Sequence, residues 1–226
     1  MEVHDEKYNY VNNVYNTLIK RDICNKYNIK KDYLLDMINN FLMENISNLT
    51  SIRNIADTLT NNKDKINHKT VSSYINYLCN AFLFYKIRRY DIQGKKYLAS
   101  QDKYYLVDHS FKYAKLGTKN INYGRVYENI VAMELLRRGY ELYVGTLYEK
   151  EIDFVATRRN EKIYIQVSSD IGDDFENNTF KREVESLLKI KDAYPKILIA
   201  RTRHDAYLFE GIQIVDISSW LLQDNC

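Results

Sequence analysis

The fold is decided by the stretch Glu151-Ile-Asp-Phe-Val-Ala156 together with the run that follows it, Ile163-Tyr-Ile-Gln-Val-Ser168. Both are short apolar runs rich in β-branched and aromatic residues, a pattern typical of buried strands. Polar residues interrupt them at Asp153 in the first run and at Gln166 and Ser168 in the second. Because alternate residues of a strand share a face, Gln166 and Ser168 point the same way. If the two strands pair, Asp153 is expected to lie beside this polar pair.

The residues around these runs predict an α/β (α+β) domain over residues 101–226, in which helices flank a mixed sheet. Expected helices cover residues 123–138, where Gly139 supplies a stop signal, and residues 176–192. Expected strands cover residues 104–107, 141–145, 151–157, 162–168, 196–200, 206–209 and 212–215.

The preceding residues, 48–100, predict a winged helix-turn-helix. Helices are expected at 52–59 and from 68 to about 82, followed by strands at 84–90 and 96–99 with a turn at Gly94. The apolar stripe of the second helix consists of Val71, Ile75, Leu78 and Phe82. Residues 1–47 predict a helical lead-in, with helices over 8–24 and 32–45.

Positive charge is concentrated in the winged-helix segment. The net charge of the chain is +3, yet residues 51–100 alone hold nine basic and three acidic side chains, a net of +6. In a winged helix the second helix enters the major groove and the wing contacts the DNA backbone. The residues expected near base edges are Lys69, Ser72, Ser73 and Asn76, and those expected near phosphates are Arg88, Arg89, Lys95 and Lys96. Winged helices also serve as protein–protein modules, so docking to a protein partner without DNA binding stays open.

Composition excludes several classes of protein. The chain has 226 residues, of which 45% are hydrophobic and 28% charged, as in a folded globular protein. It has only seven glycines and neither a G-x-x-x-x-G-K-[ST] nor a G-x-G-x-x-G motif, so no nucleotide site is recognised and ATP hydrolysis is not expected. Three widely spaced cysteines, no apolar run long enough to span a membrane and no signal peptide predict a cytoplasmic protein with reduced thiols and no membrane partner.

Three polar positions of the α/β domain are candidates for chemistry. Glu128 lies within the helix expected at 123–138, Asp153 on one strand and Gln166 on its neighbour. Two carboxylates and a third oxygen ligand suit Mg²⁺, which can activate water against a phosphodiester. The sequence therefore makes Glu128 and Asp153 candidate metal ligands.

The order of a helix glutamate, a strand aspartate and a polar pair on the next strand resembles the restriction-endonuclease-like PD-(D/E)xK nucleases. More specifically, Gly124-Arg-Val-Tyr-Glu128-Asn, Glu134-Leu-Leu-Arg-Arg-Gly-Tyr140 and the two strands resemble the C-terminal region of a family of prokaryotic AAA+ ATPases. Thr70-Val-Ser-Ser-Tyr-Ile-Asn-Tyr-Leu78 and Lys103-Tyr-Tyr-Leu-Val-Asp108 are similar to the winged-helix region of the same family. The resemblance covers roughly residues 45 to 215. It implies that residues 1–47 are the remnant of an ATPase lid and that an upstream ATPase domain is missing here.

Carried over by position, the resemblance makes Glu128 the helix acid, Asp153 the central metal ligand, Gln166 the second strand ligand and Ser168 the place of the lysine. Gln166 brings no charge and Ser168 no ammonium, so the pattern is degenerate at two of its four positions. Lys162 or Lys181 could substitute from elsewhere. The function expected is a nucleic-acid-binding or regulatory module with an inactive nuclease site. The alternatives are an active Mg²⁺-dependent nuclease, a docking scaffold coupling an ATPase to a partner, and a purely structural role for Asp153.

Overall fold

The computed structural model describes residues 2–60, 66–172 and 178–223. Its contacts divide the chain into two compact units. Unit 1 consists of Met1–Lys86 and Tyr104–Ile121, and unit 2 of Ile87–Lys103 and Asn122–Cys226. In the described ranges no helix combines the length and the apolar character that crossing a membrane requires.

Unit 1 is mainly helical. Its elements are α1 (Glu2–Thr17), a π-helical segment (Leu18–Asn25), α2 (Asp32–Glu44), α3 (Ile52–Leu59), α4 (His68–Asn80) and α5 (His109–Leu116). Polar side chains cap the starts of α3 and α4: Ser51 accepts a hydrogen bond from the Asn54 N–H at 3.1 Å, and Asn67 accepts one from the Lys69 N–H at 2.8 Å. Such caps satisfy backbone donors that a helix leaves unpaired at its start. The helices expected at 52–59 and from 68 onward are confirmed, although residues 61–65 of the intervening loop lie outside the described residues.

The core of unit 1 contains most of the apolar stripe expected on α4. Val71, Ile75 and Leu78 are buried against residues of α2 and α3. Phe82 is the exception: α4 ends at Asn80, and Phe82 takes a positive φ of 56° and is 66% exposed. The expectation that Phe82 continues the buried stripe was wrong, because the helix ends at Asn80 and Phe82 lies in the turn that precedes β1.

Unit 2 contains a mixed sheet, which confirms the α/β expectation. Its strands are β1 (Phe84–Asp91), β2 (Lys96–Leu106), β3 (Glu141–Leu147), β4 (Lys150–Arg158), β5 (Glu161–Ser168), β6 (Lys196–Ala200), β7 (Tyr207–Phe209) and β8 (Ile212–Asp216). In the described residues they are ordered β2-β1-β3-β4-β5-β6-β8-β7. The pairs β3–β4, β4–β5 and β7–β8 are antiparallel, and β1–β3, β5–β6 and β6–β8 are parallel.

Three helices complete unit 2: α6 (Tyr123–Arg137), α7 (Asn178–Leu188) and α8 (Ile217–Leu222). The Asn122 side chain caps α6, and Gly139, at a φ of 80°, follows its end as expected. α7 ends four residues before the expected limit at Asp192, and the expected start at 176 lies outside the described residues.

The hairpin β1–β2 differs most from the expectation. Residues 96–106 form one strand, whereas two strands, at 96–99 and 104–107, were expected on either side of the polar residues 100–103. The part of the hairpin next to the turn, Ile87–Lys103, belongs to unit 2. There β1 pairs with β3 from Arg88↔Tyr143 to Asp91↔Thr146. The limits of the compact units therefore do not coincide with the domain limits expected at residues 47 and 100.

Candidate functional site

The candidate site lies in unit 2, where the pairing of β4 with β5 brings two of the expected residues together. The register Phe154↔Ile165 places Asp153 beside Gln166, and the Asp153 N–H donates a hydrogen bond to Gln166 Oε1 at 3.3 Å. Burial of Ile152 and Phe154 alongside Val155 shows that both faces of β4 are covered, which explains its continuous apolar run. Asp153 is therefore an acid held inside a covered sheet.

A lysine that sequence reasoning did not single out occupies the centre of this site. Lys103 of β2 directs its ammonium to Glu128 Oε1 at 2.8 Å and to Glu151 Oε1 at 2.7 Å, and Asp153 Oδ1 lies 3.7 Å away. The Lys103 side chain is only 3% exposed, and those of Glu128 and Asp153 are 12% and 10% exposed. Glu151 is the most accessible of the group. We call Lys103, Glu128, Glu151 and Asp153 the lysine–carboxylate cluster.

Hydrogen bonds extend the cluster across β5 to α7. Asp153 Oδ2 accepts the Val167 N–H at 2.8 Å, which fixes the carboxylate on the neighbouring strand. Gln166 Nε2 donates to Glu183 Oε2 at 2.8 Å, and Arg182 donates to the other oxygen of Glu183 at 2.7 Å. Gln166 thus has both ends of its amide engaged.

The electrostatics of the cluster keep Lys103 charged. Burial alone would lower the pKa of Lys103, but the carboxylates of Glu128, Asp153 and Glu151 together raise that pKa above its usual range. Burial and the neighbouring Glu128 hold the pKa of Asp153 well above normal, although Lys103 and the Val167 N–H act in the opposite direction. Three carboxylates around one ammonium carry excess negative charge, which together with burial favours the protonated form of Asp153.

Other expected catalytic positions lie apart from this arrangement. The Ser168 hydroxyl donates to the Asp170 carbonyl at 3.0 Å. Lys162 directs its ammonium toward tyrosine rings, and Lys181 is exposed on α7. The lysine that meets Glu128 and Asp153 therefore comes from β2, distant in sequence, rather than from the strand position that Ser168 occupies.

The donors fit an ammonium better than a divalent ion. In the described part of the chain no group of three or more His, Cys, Asp or Glu side chains is placed to hold a metal ion. Mg²⁺ requires several oxygens converging on one point. Here the Glu128 and Glu151 oxygens converge on Lys103 Nζ, and the Gln166 oxygen faces a backbone N–H. In this arrangement the candidate metal ligands Glu128 and Asp153 share a lysine.

The residues expected to contact DNA are divided between the units. Lys69, Ser72, Ser73 and Asn76 lie on α4 in unit 1, and Arg88, Arg89, Lys95 and Lys96 lie on the hairpin in unit 2. Five of them are exposed: Lys69, Asn76, Arg88, Lys95 and Lys96. Ser73 donates to the Lys69 carbonyl at 3.0 Å, and Arg89 donates to the Thr146 hydroxyl at 3.3 Å, so these two side chains have intramolecular partners. Lys63 and Lys65 of the basic segment lie outside the described residues.

Sequence reasoning missed Lys103, Glu151 and Glu183. Glu151 had a signal, because it precedes Asp153 by two residues on the same strand and therefore shares its face. Lys103 had no such signal in the sequence, because it lies among polar residues that suggested a break between two strands. Only the fold brings β2 close to α6 and β4.

Comparison with known proteins identifies relatives of unestablished function. A family model described as a domain of unknown function (DUF8612) matches residues 1–122. An uncharacterized protein of Haemophilus influenzae is 39% identical over 210 residues, covering 93% of this chain and 51% of the relative. An uncharacterized protein of Methanocaldococcus jannaschii is 26% identical over 175 residues, covering 76% of this chain and 38% of the relative. The chain thus spans about half the length of the first relative and less of the second. No solved structure matches it.

Proposed function

We propose that this chain, which belongs to the family of the domain of unknown function DUF8612, is a nucleic-acid-binding or regulatory module whose nuclease-like site is structural. The observation that carries the proposal is the Lys103 ammonium, 2.8 Å from Glu128 and 2.7 Å from Glu151. It fills the space between the carboxylates that a catalytic metal ion would need. The carboxylates then stabilise the fold instead of activating water.

The order of elements in unit 2 supports a restriction-endonuclease-like fold. A helix with an acid (α6) precedes three antiparallel strands (β3 to β5), and α7 and the parallel strand β6 follow. Glu128 lies on the helix, Asp153 on the middle strand and Gln166 on the last. In unit 1, α3, α4 and the start of the hairpin follow the order of a winged helix-turn-helix.

The chemistry of the Lys103 ammonium supports an inactive nuclease site. A divalent ion lowers the pKa of a bound water until it becomes a nucleophile. An ammonium carries one positive charge, has no vacant coordination position and cannot activate water in this way. With Lys103 only 3% exposed, its N–H groups are directed at carboxylates and do not face a substrate. The same burial withholds the ammonium from a phosphate in the transition state.

The two relatives are longer than the regions that match this chain. The matched regions are 51% and 38% of the two relatives, so each has further sequence that this chain does not match. We propose that an AAA+ ATPase domain accompanies the module in such proteins, as the motifs around Glu128 and Asp153 suggest. In that setting the module would couple the ATPase to a nucleic acid or a protein partner.

A cleavage assay tests the proposal directly. The purified chain is incubated with plasmid, linear duplex and single-stranded DNA in buffer containing Mg²⁺ or Mn²⁺, with a metal-free reaction as control. We expect no cleavage above the level of the Asp153→Ala variant. Metal-dependent cutting that disappears in Asp153→Ala would refute the structural role of the site.

The second candidate function is an active metal-dependent nuclease. It is supported by the convergence of Lys103 with the three carboxylates of the cluster. A lysine together with Glu128, Glu151 and Asp153 provides the residue types that a restriction-endonuclease-like site uses, supplied from a different strand. This candidate requires Lys103 to leave the carboxylates so that a metal ion can enter. Titration of the chain with Mn²⁺ distinguishes the two: a saturable site abolished by Asp153→Ala favours the nuclease, and its absence favours the structural role.

A further inference from the structure

A group of tyrosines lies on unit 2 apart from the lysine–carboxylate cluster. Tyr97 of β2, Tyr90 of β1 and Tyr143 of β3 form a triangle whose ring centroids are 5.1 to 6.0 Å apart. Tyr164 of β5 and Tyr194, which follows α7, form a second group 6.5 Å apart. The fold thus brings together tyrosines from distant parts of the sequence.

Lys162 joins the two groups. Its ammonium lies 4.8 Å from the ring centre of Tyr194, 5.5 Å from that of Tyr164 and 5.6 Å from that of Tyr90. It also donates to the Tyr164 hydroxyl at 3.4 Å, and in the described ranges it has no ion-pair partner. We call these five tyrosines and Lys162 the tyrosine–lysine patch.

The outer rings of the patch are accessible to solvent. Tyr97 is 62% exposed and Tyr194 is 44% exposed, whereas Tyr164 is buried. Two exposed lysines, Lys95 and Lys96, immediately precede Tyr97. Aromatic rings that only pack in a core are buried. Tyr97 and Tyr194 instead remain accessible to solvent, and the Lys162 ammonium lies 4.8 Å from the ring centre of Tyr194.

The acidic residues near the patch are already engaged. Asp192 accepts the Tyr164 hydroxyl at 2.6 Å, and Glu141 accepts the Tyr143 hydroxyl at 3.2 Å. Asp91 accepts the Gly94 N–H at 3.0 Å in the hairpin turn. Each carboxylate therefore fixes a tyrosine or the turn, whereas Lys95, Lys96 and Lys162 have no carboxylate partner in the described residues.

We propose that the tyrosine–lysine patch binds single-stranded nucleic acid, with bases stacked on Tyr97 and Tyr194 and phosphates near Lys162. Exposed aromatic rings beside lysines are the means by which proteins hold single strands without reading their sequence. A duplex keeps its base faces covered by stacking, so it would gain only the charge contacts. The inference deepens the proposed nucleic-acid association by naming the strand form and the surface, and it uses no residue of α4.

Binding is measured by fluorescence anisotropy of a labelled oligothymidine of about 16 nucleotides and of a duplex of equal length. The single strand is expected to bind more tightly than the duplex. Replacing both exposed rings, in Tyr97→Leu/Tyr194→Leu, is expected to weaken single-strand binding about 30-fold or more. Tyr97→Phe/Tyr194→Phe keeps the rings and should retain binding.

Matched controls come from the same unit. Tyr148, 70% exposed in the turn between β3 and β4, supplies Tyr148→Leu, and the exposed Lys189 supplies Lys189→Gln for comparison with Lys162→Gln. Thermal denaturation of each variant checks that the fold persists. Equal loss of binding in patch variants and matched controls would overturn the proposal.

Photocrosslinking gives a readout that needs no variant. An oligonucleotide containing 5-iodouracil is irradiated in complex with the full chain, and the crosslinked peptide is identified by mass spectrometry. Crosslinks at Tyr97 or Tyr194 support the patch. Crosslinks confined to α4 would refute the patch and leave the proposed nucleic-acid association intact, whereas no binding of either strand form would refute both.

Discussion

Among single residues, Lys103 has the largest effect on the candidate site, because its ammonium balances part of the charge of three carboxylates. Removing one partner of a buried ion pair leaves the other charges uncompensated, which is costly because water cannot reach them. Here the partners left behind would be Glu128, Glu151 and Asp153, which share the one ammonium. These carboxylates would then have to move together to bind a divalent cation, because in the described residues they are not placed to hold one as they stand.

Lys103→Met is therefore expected to lower the free energy of unfolding by about 3–5 kcal/mol in metal-free buffer. Mn²⁺ or Mg²⁺ is expected to restore part of this loss, because a cation that binds only the folded state stabilises it. Urea denaturation with EDTA and with added metal measures both effects. The control is Lys189→Met, at an exposed position after α7. A variant as stable as the native chain would contradict the role given to Lys103.

Asp153 provides a pH-dependent test of the same cluster. Burial and Glu128 raise the pKa of this carboxyl, so the folded chain binds a proton that the unfolded chain has already released. Stability from this group is thus present below the unfolded pKa of about 3.9 and is lost as pH rises through the raised folded pKa. Asp153→Asn removes the titration, so native stability relative to the variant should decline as the pH rises above about 4. A constant difference across this range would show that the Asp153 pKa is not raised.

At the scale of elements, the sequence predicted helices better than the hairpin. Ser51 and the stripe Val71, Ile75 and Leu78 located α3 and α4, because caps and apolar spacing act locally. The single long β2 and the pairing of β1 with β3 depend on contacts between distant segments, which no local pattern encodes. Lys103 was missed for the same reason, since its partners lie on α6 and β4.

The exposed lysines of the hairpin lead to a prediction about binding to duplex DNA. Lys95 and Lys96 are exposed beside the β1–β2 turn, so both ammonium groups are available to phosphates. Lys95→Ala/Lys96→Ala is expected to flatten the slope of log affinity for duplex DNA against log salt concentration by about 1.8, because two phosphate contacts are lost. The comparison variant is Lys189→Ala, which should leave the slope unchanged. Equal slopes for native and double-variant chains would exclude these lysines from the phosphate interface.

At the scale of the whole molecule, unit 2 is assembled from two separated parts of the chain. Ile87–Lys103 contributes most of β1 and β2 and the lysine of the cluster, and Asn122–Cys226 contributes the other strands and the carboxylates. The family match ends at residue 122, at the same point where unit 2 resumes. A chain break between Ile121 and Asn122 would lie outside every helix and strand of the described residues. It would nevertheless separate Lys103 from Glu128, Glu151 and Asp153.

Division of the chain between Ile121 and Asn122 is therefore expected to leave the C-terminal fragment without a stable fold. The fragment lacks β1, one of the two strands that pair with β3. Its Glu128, Glu151 and Asp153 have also lost their ammonium, at a cost of about 3–5 kcal/mol against a typical total stability of about 5–15 kcal/mol. Circular dichroism and amide NMR dispersion measure folding of the fragment alone and after addition of residues 1–121. Addition of the native partner should restore dispersion, and addition of a Lys103→Met partner should restore less. A C-terminal fragment that folds alone with native dispersion would show that neither β1 nor Lys103 is needed to hold the sheet together.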